Sequence, residues 1–400
     1  MAQKYKIEQG VKGRQDSLLG VYRRKGVSFA SGKGARIWDT SGREYIDFVA
    51  GIAVNVLGHS NPKLVSAICN QASNLIHTSN LYEIENQSQL ASRLSRHFPG
   101  RKMKVFFSNS GAEANEAALK FAVKSTGRGG FVSANNSFHG RTAMALSVTG
   151  QPKYWSGFEP LIYRNVEFFD YGSIESLKSH LNRDVAAVIM EPIQGEGGVI
   201  VPPKGFLREA SAVVHDNGSL LIVDEVQTGM GRTGRMFAHQ WEQGCTPDIV
   251  TVAKGLAGGV PIGATLVGED VASAIHEGDH GSTFGGNPLA TAAGLATMEV
   301  IESPGFLDRV ISRGQYLFHS LSDSLRGNES VTEIRGKGLM VGIEMLGDSA
   351  KKFADYAFER NILVNVAHDS VVRLLPPLVV TEEEIDSLCA TFRSFSSSAR

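Results

Sequence analysis

The sequence predicts an α/β chain, with a large domain built on a mostly parallel sheet flanked by helices and a smaller α+β domain. Three observations carry that expectation. The chain has 400 residues, about two to three times the usual single-domain length. Between about residues 62 and 290 short apolar runs alternate with amphipathic segments, the pattern of strands covered by helices on both faces. Beyond about residue 300 that alternation gives way to a helix, separated strands and a closing helix.

The composition fits such a chain. Forty Lys and Arg residues stand against 41 Asp and Glu, a formal net charge of −1, so there is no electrostatic footprint for nucleic acid or an anionic membrane. Hydrophobic residues at 42% and charged residues at 20% supply a sizeable core and exclude wholesale disorder. The 44 glycines exceed the typical share of about 7% and imply many tight turns and close backbone approaches. Cys69, Cys245 and Cys389 are widely spaced and form no CxxC pair. Neither a disulfide framework nor a cysteine zinc site is expected, and a reducing compartment fits. The start, Met1-Ala2-Gln3-Lys4-Tyr5-Lys6, leads into polar sequence without an apolar signal core. No stretch approaches the roughly 20 apolar residues that span a bilayer. A soluble, cytoplasmic protein is expected, with no membrane or nucleic-acid partner and no metal.

Taken in order, residues 1–61 carry the strand-like pieces Ala35-Arg36-Ile37-Trp38 and Tyr45-Ile46-Asp47-Phe48 between Gly and Ser turns. They are expected to pack with the small domain. Residues 62–295 form the large domain. Its strands are expected over 104–107, 130–133, 186–190, 220–224, 249–253 and 264–267. Ala114, Ala117, Ala118, Phe121 and Ala122 fall at helical spacing after the first of these. Residues 296–400 form the small domain: a helix, strands around 341–345 and 371–375, a Pro376-Pro377 turn and a helix over 381–395. In sheets of this kind ligands gather beyond the carboxyl ends of the strands, so the chemistry is sought in the residues just past each strand.

Three strand ends stand out. Leu221-Ile222-Val223 runs into Asp224-Glu225. An acid after a strand is most often a helix cap or surface turn, yet a carboxylate held at this end can balance a protonated ring nitrogen. Ile249-Val250-Thr251-Val252-Ala253 ends on Lys254, before a glycine-rich turn. Lysine is ordinarily a surface residue; partial burial here would lower its pKa and make the amine a nucleophile toward an aldehyde. Phe106-Phe107 passes through Ser108-Asn109-Ser110-Gly111-Ala112 into an Ala-rich helix. Bare N–H groups and small side chains at that point admit a phosphate, although a plain helix capped by Ser110 or Asn109 has the same pattern. An anion cradle, an acid for a pyridinium and an amine for an aldehyde together meet the demands of pyridoxal 5′-phosphate. A competing signal, Gly229-Met230-Gly231-Arg232-Thr233-Gly234 with Asp248 downstream, matches the dinucleotide fingerprint of a nicotinamide-dependent oxidoreductase. Its context fails: residues 224–228 separate the glycines from the strand, no helix is expected after them, and Asp248 precedes its strand.

The segments Ser110-Gly111-Ala112-Glu113-Ala114-Asn115-Glu116-Ala117, Phe138-His139-Gly140-Arg141, Glu191-Pro192-Ile193-Gln194-Gly195-Glu196-Gly197-Gly198, Asp224-Glu225-Val226-Gln227 and Lys254 resemble, in order and over nearly the whole chain, those of the class III aminotransferases. These are fold-type I, pyridoxal-phosphate-dependent enzymes. The resemblance implies that Lys254 captures the cofactor aldehyde and then shuttles a proton, while Asp224 pairs with the ring nitrogen. It assigns Gln227 to the ring hydroxyl, Phe138 to the ring face, and Ser110, Gly111 and Ala112 to the phosphate, with Glu225 and Val226 counted in the same cofactor site. Thr283, with Ser282 beside it, would reach the phosphate of a neighbouring subunit, making a homodimer with shared sites. Arg141 and Arg373 would bind substrate carboxylates, for which arginine offers a rigid, always-charged fork. Glu196 would pair with Arg373 while the amino donor is bound and swing away for 2-oxoglutarate. His59, His139 and His280 lack metal spacing and are expected to be satisfied polar residues.

Within the class, residues 48–55 and 281–288 are most similar to the subgroup acting on acylated ornithine. Ornithine δ-aminotransferases carry a tyrosine two positions before Ala-Val-Asn, where it holds the substrate's carboxylate end; here that position is Gly51, which favours a donor with a blocked α-amine. The implied reaction takes the terminal amine of N-acetyl-L-ornithine to 2-oxoglutarate, giving N-acetyl-L-glutamate 5-semialdehyde and L-glutamate, as in arginine biosynthesis. N-succinylornithine, N-succinyl-diaminopimelate, an acylated lysine precursor, ornithine and 4-aminobutyrate are the alternative donors.

Overall fold

The computed structural model describes residues 17–398; residues 1–16, with the polar start of the chain, and residues 399–400 lie outside the described residues. Phe29–Lys33 (β1), Arg36–Asp39 (β2) and Glu44–Asp47 (β3) form an antiparallel meander. The free edge of β3 pairs in parallel with Ile362–Leu363, far along the chain.

The central sheet has seven strands: Met103–Ser108 (β4), Gly130–Ala134 (β5), Val166–Phe169 (β6), Val185–Met190 (β7), Leu220–Asp224 (β8), Ile249–Val252 (β9) and Gly263–Gly268 (β10). They lie in the order β4-β10-β9-β8-β7-β5-β6. β7, β9 and β10 are buried along their whole length, as strands covered on both faces must be. Alternation sorts their side chains. Ala187, Ile189, Ile222 and Ile249 pack under the helix Gly111–Thr126, whereas Val188, Met190, Leu221, Val223 and Val250 join the larger core on the opposite face. That helix is started by Ser110, whose hydroxyl accepts from the Glu113 N–H at 3.2 Å, and it stops at Gly127 in the left-handed region.

All strands but β10 run in one direction; β10 is antiparallel to both its neighbours. Residues 253–262 alone separate β9 from β10, fewer than the dozen or more that a parallel crossover needs. The edge strand β6 has no counterpart among the strands expected from the sequence. Four residues that include an exposed Glu167 are too few for a periodic signal.

After the helix Pro288–Ile301, which runs through residue 295, come the helix Phe306–Ser324, Val331–Lys337 (β11), Met340–Met345 (β12), the helix Ser349–Glu359, Ile362–Leu363 (β13), Asn365–Ala367 (β14), Val371–Leu374 (β15) and the helix Glu382–Ser398. β11, β12, β15 and β14 make an antiparallel sheet in that order. Its register sets Arg373 of β15 between Gly342 and Asn365. Among the described residues no helix is long and apolar enough to cross a membrane.

Candidate active site

The carboxyl ends of the parallel strands open into a cavity of about 480 Å³. Asp224 at the end of β8 and Lys254 just past β9 both line it, as do Ser110, Gly111 and Ala112 after β4, and Phe138 and Arg141 after β5. Val226 and Gln227 complete that wall. Because β10 is reversed, the segment entering it, with Pro261 and Ile262, forms the remaining side.

Asp224 is 3% exposed. Its Oδ2 accepts from Asn115 Nδ2 at 2.7 Å and from His139 Nδ1 at 2.8 Å, and its Oδ1 accepts from the Val226 N–H at 2.9 Å. Among the described residues no lysine or arginine pairs with it. Its side-chain partners are an amide and an imidazole, and a buried carboxylate held this way favours a cation at its remaining lone pairs.

Lys254 adopts φ +41, a left-handed conformation that L side chains rarely take and that marks functional turns. Burial pushes its amine down to about 8; Glu196, Asp224 and Glu191 favour the charged form, and Arg373 opposes it. The neutral, nucleophilic amine therefore grows in as pH rises through about 8, well below the ordinary lysine value. We expect the rate at which apoprotein captures pyridoxal phosphate to rise with pH and to level off above about 8. A rate that kept climbing to pH 10 would contradict the lowered value.

The first N–H groups of the Gly111–Thr126 helix have no intrahelical partner, which suits an anion. A Cβ at Gly111 would lie 2.7 Å from Val226 Cγ1, and one at Gly140 2.7 Å from Ala112 Cβ. Glycine is what lets these backbones close around the cradle.

Arg373 is fully buried and, like Glu196, does not line the cavity; it reaches the cavity wall through Gln227. Its Nη1 donates to Glu196 Oε1 at 2.7 Å and to Gln227 Oε1 at 3.0 Å, and its Nε to Asn365 Oδ1 at 3.2 Å, while Nη2 has no partner. Burial, the largest single influence, would raise the Glu196 carboxyl, but Arg373, Lys254 and Gln227 together outweigh it and hold the group below the usual range. Gly195 permits this arrangement, since a Cβ there would sit 2.1 Å from Gln227 Oε1. Arg141 is exposed, with its guanidinium 3.9 Å from the Tyr154 ring centroid and 5.6 Å from that of Phe138. Nearby, Ala50, Gly51, Ile52 and Ala53 run through a left-handed turn, with φ of 49, 65, 64 and 62. For the three non-glycines this costs about 1–2 kcal/mol each. Gly51 borders a neighbouring cavity of about 710 Å³ together with Asn55 and Asn365.

Several expectations need correction. Glu225 does not line the cavity: its buried carboxylate accepts from Thr228 Oγ1 and from His239 N and Nδ1. Ser282 and Thr283 lie outside this chain's cavity too, a placement that leaves their expected role at a neighbouring subunit's phosphate untouched. The Ser282 hydroxyl accepts from Asn109 Nδ2 and the Gly285 N–H, and Thr283 is exposed. His139 is only half satisfied, because its Nε2 is buried without a partner. Asn115, His139 and Glu191 line the cavity, although the sequence motifs give none of them a role there. Burial raises Glu191 to about 7, with His139 opposing and Asp224 adding to the rise. Its carboxylate accepts from the Phe138 and Gly195 N–H groups. Asn115 stands one helical turn after Gly111, a spacing that puts both on one face. The dinucleotide-like glycines make a turn, and Asp248 is taken up by the Leu221 N–H and His215, each at 2.8 Å.

A buried acid with a lone pair to spare, an amine with a lowered pKa and the Gly111 and Ala112 N–H groups ahead of the Ser110-capped Glu113 fit pyridoxal 5′-phosphate. A family model described as Aminotransferase class-III matches residues 22–395. The acetylornithine aminotransferase of Methanothermobacter thermautotrophicus is 48% identical over 370 residues, covering 92% of this chain and 94% of that protein. Among solved structures, the ornithine aminotransferase from Toxoplasma gondii ME49 is similar with a TM-score of 0.90 at 34% identity, over 96% of this chain and 93% of that one. The N-acetylornithine aminotransferase from Stenotrophomonas maltophilia K279a gives 0.82 at 34% identity, over 95% and 98%.

Proposed function

Since this chain belongs to the class III aminotransferases, pyridoxal-phosphate-dependent enzymes, we propose that it carries the terminal amine of N-acetyl-L-ornithine to 2-oxoglutarate. The products are N-acetyl-L-glutamate 5-semialdehyde and L-glutamate. The observation that carries this reading is the meeting of Lys254 and Asp224 in one cavity within a chain 48% identical to an acetylornithine aminotransferase. Arginine biosynthesis in the cytoplasm is the setting proposed with it.

When bound, the cofactor supplies an aldehyde for the amine and a ring that takes up the electron pair left at the substrate carbon. Lys254 Nζ, partly neutral near its lowered pKa, would take the proton from the carbon bearing the transferred amine and hand it to the carbon that had been the cofactor's aldehyde. Asp224 would keep the ring nitrogen protonated by its negative charge, through the lone pair left on Oδ1. Gln227 would face the ring hydroxyl, Phe138 would cover the ring, and Ser110, Gly111 and Ala112 would hold the phosphate. Arg141 takes a carboxylate of either substrate. Arg373 takes the second carboxylate of 2-oxoglutarate through its open Nη2 once Glu196 releases Nη1. While the acylated donor is bound, the Glu196–Arg373 pair masks a charge that the donor does not use. Gly51, on the wall of the neighbouring cavity, leaves room where a tyrosine would meet a free α-amino acid.

The functional unit we propose is a homodimer with shared sites. Thr283 and Phe284 are exposed on one loop, and Leu81 and Tyr82 are 86% and 68% exposed. An apolar surface of this kind needs cover.

The test is a donor series at saturating 2-oxoglutarate. N-acetyl-L-ornithine should have the highest kcat/KM, above N-succinylornithine, ornithine and 4-aminobutyrate. In Glu196→Ala the preference should move by about tenfold or more toward glutamate as donor, the effect of one charge-assisted contact. Ornithine leading the series would overturn the substrate, and an unchanged donor ratio in the variant would overturn the switch.

A further inference from the structure

The hydrogen bonds around Asp224 assign a role to a residue outside every motif position given a function above. We infer that Asn115 is a positioning residue: its amide locks Asp224 to the strand that carries Lys254 and leaves one Asp224 oxygen free for the ring nitrogen. Asp224 of β8 and Thr251 of β9 are direct cross-strand neighbours. Asn115, fully buried on the helix above them, spans the pair. Its Nδ2 donates to Asp224 Oδ2 and to the His139 carbonyl, both at 2.7 Å, and its Oδ1 accepts from Thr251 Oγ1 at 2.7 Å.

The amide has two N–H donors, and both are used. Turned over, its oxygen would face two acceptors, so one orientation is enforced. The carboxylate can only accept, so His139 must present an N–H at Nδ1. Asp224 Oδ2 thus receives two donors and Oδ1 receives one, from the Val226 N–H. Oδ1 is the oxygen with capacity to spare. The amide and the Val226 N–H are neutral dipoles, so they fix the carboxylate without spending its charge. Thr251 lies three residues before Lys254 on the same strand end, so the amide also sets the spacing between acid and amine.

This inference rests on Asp224 serving the ring nitrogen, and the experiment separates the two. Three variants are compared with wild type by pH titration of the visible absorption of the bound cofactor, alongside kcat and both KM values. Thr251→Val, outside the cavity lining, removes only the hydroxyl that holds the amide. It should shift the titration midpoint and lower kcat by about three- to tenfold, with each KM within about twofold; Thr251→Ser should restore both. Asn115→Leu should shift it further and lower kcat by about 10- to 100-fold. Asp224→Asn is the control. If it leaves the titration unchanged, the reading of Asp224 fails. If Asp224→Asn shifts it while Thr251→Val and Asn115→Leu lower only the Tm, Asn115 is structural and the inference is overturned.

Discussion

Lys254→Ala is expected to lower kcat/KM for N-acetyl-L-ornithine by about 10⁴-fold or more, the upper range for loss of a positioned proton-transfer group. That corresponds to about 5.5 kcal/mol of transition-state stabilisation. The size reflects two tasks resting on one nitrogen. The amine captures the aldehyde, and it then moves the proton that makes transfer possible. Burial equips it for both by pushing its pKa down to about 8, so a useful fraction is neutral near pH 7.5. Among the described residues no other lysine lines the cavity to take over. Removing a side chain from a cavity wall should leave the fold intact, with a Tm close to that of wild-type apoprotein. Added small primary amines should restore part of the lost rate, because they replace the proton carrier without its tether. A variant retaining more than about a hundredth of wild-type activity would contradict the assignment.

Asp224→Asn is expected to cost about 10²- to 10³-fold in kcat, comparable to removing one preorganised electrostatic partner. The substitution keeps the side-chain shape and removes the charge. It should also separate stability from function. In the apoprotein Asp224 is a buried carboxylate held by Asn115, His139 and the Val226 N–H, without a lysine or arginine partner among the described residues. Because both carboxylate oxygens receive donors, the introduced amide NH2 must face one of them, and apoprotein stability should fall by about 1–3 kcal/mol. The Tm gain on adding pyridoxal phosphate should shrink, because the differential affinity that produces it is lost. Thermal melts of both forms, with and without cofactor, check both statements. An undiminished Tm gain together with near-normal kcat would mean that the ring nitrogen does not depend on this acid.

Much of the site can be read from the chain because buried parallel strands are nearly continuous apolar runs, and the residues just past each run form the active rim. Val185–Met190, Leu220–Asp224 and Ile249–Val252 announce themselves in this way. Asp224 and Lys254 stand at the ends of two of them. The choice between the adjacent acids is harder. Side chains alternate along a strand, and Ile222 packs toward the Gly111–Thr126 helix while Val223 packs toward the other face. Asp224 therefore turns to the helix that bears Asn115, and Glu225 turns away to His239. Parity holds that information, but a motif treated as a block does not use it. His139 is masked by its neighbours, since nothing in Phe-His-Gly-Arg says which ring faces Asp224. Glu191 shows the same limit: its burial depends on how β7 lies between β5 and β8. Ser282 and Thr283 lie outside their own chain's cavity, so any role at a phosphate requires a second chain.

The most direct test of Lys254 as the residue that captures the cofactor is to reduce the purified holoprotein with borohydride and map the trapped group by peptide mass. A single phosphopyridoxyl group on the peptide containing Lys254, absent from Lys254→Ala, is the predicted result. The same label on another lysine, or none on either protein, would contradict it.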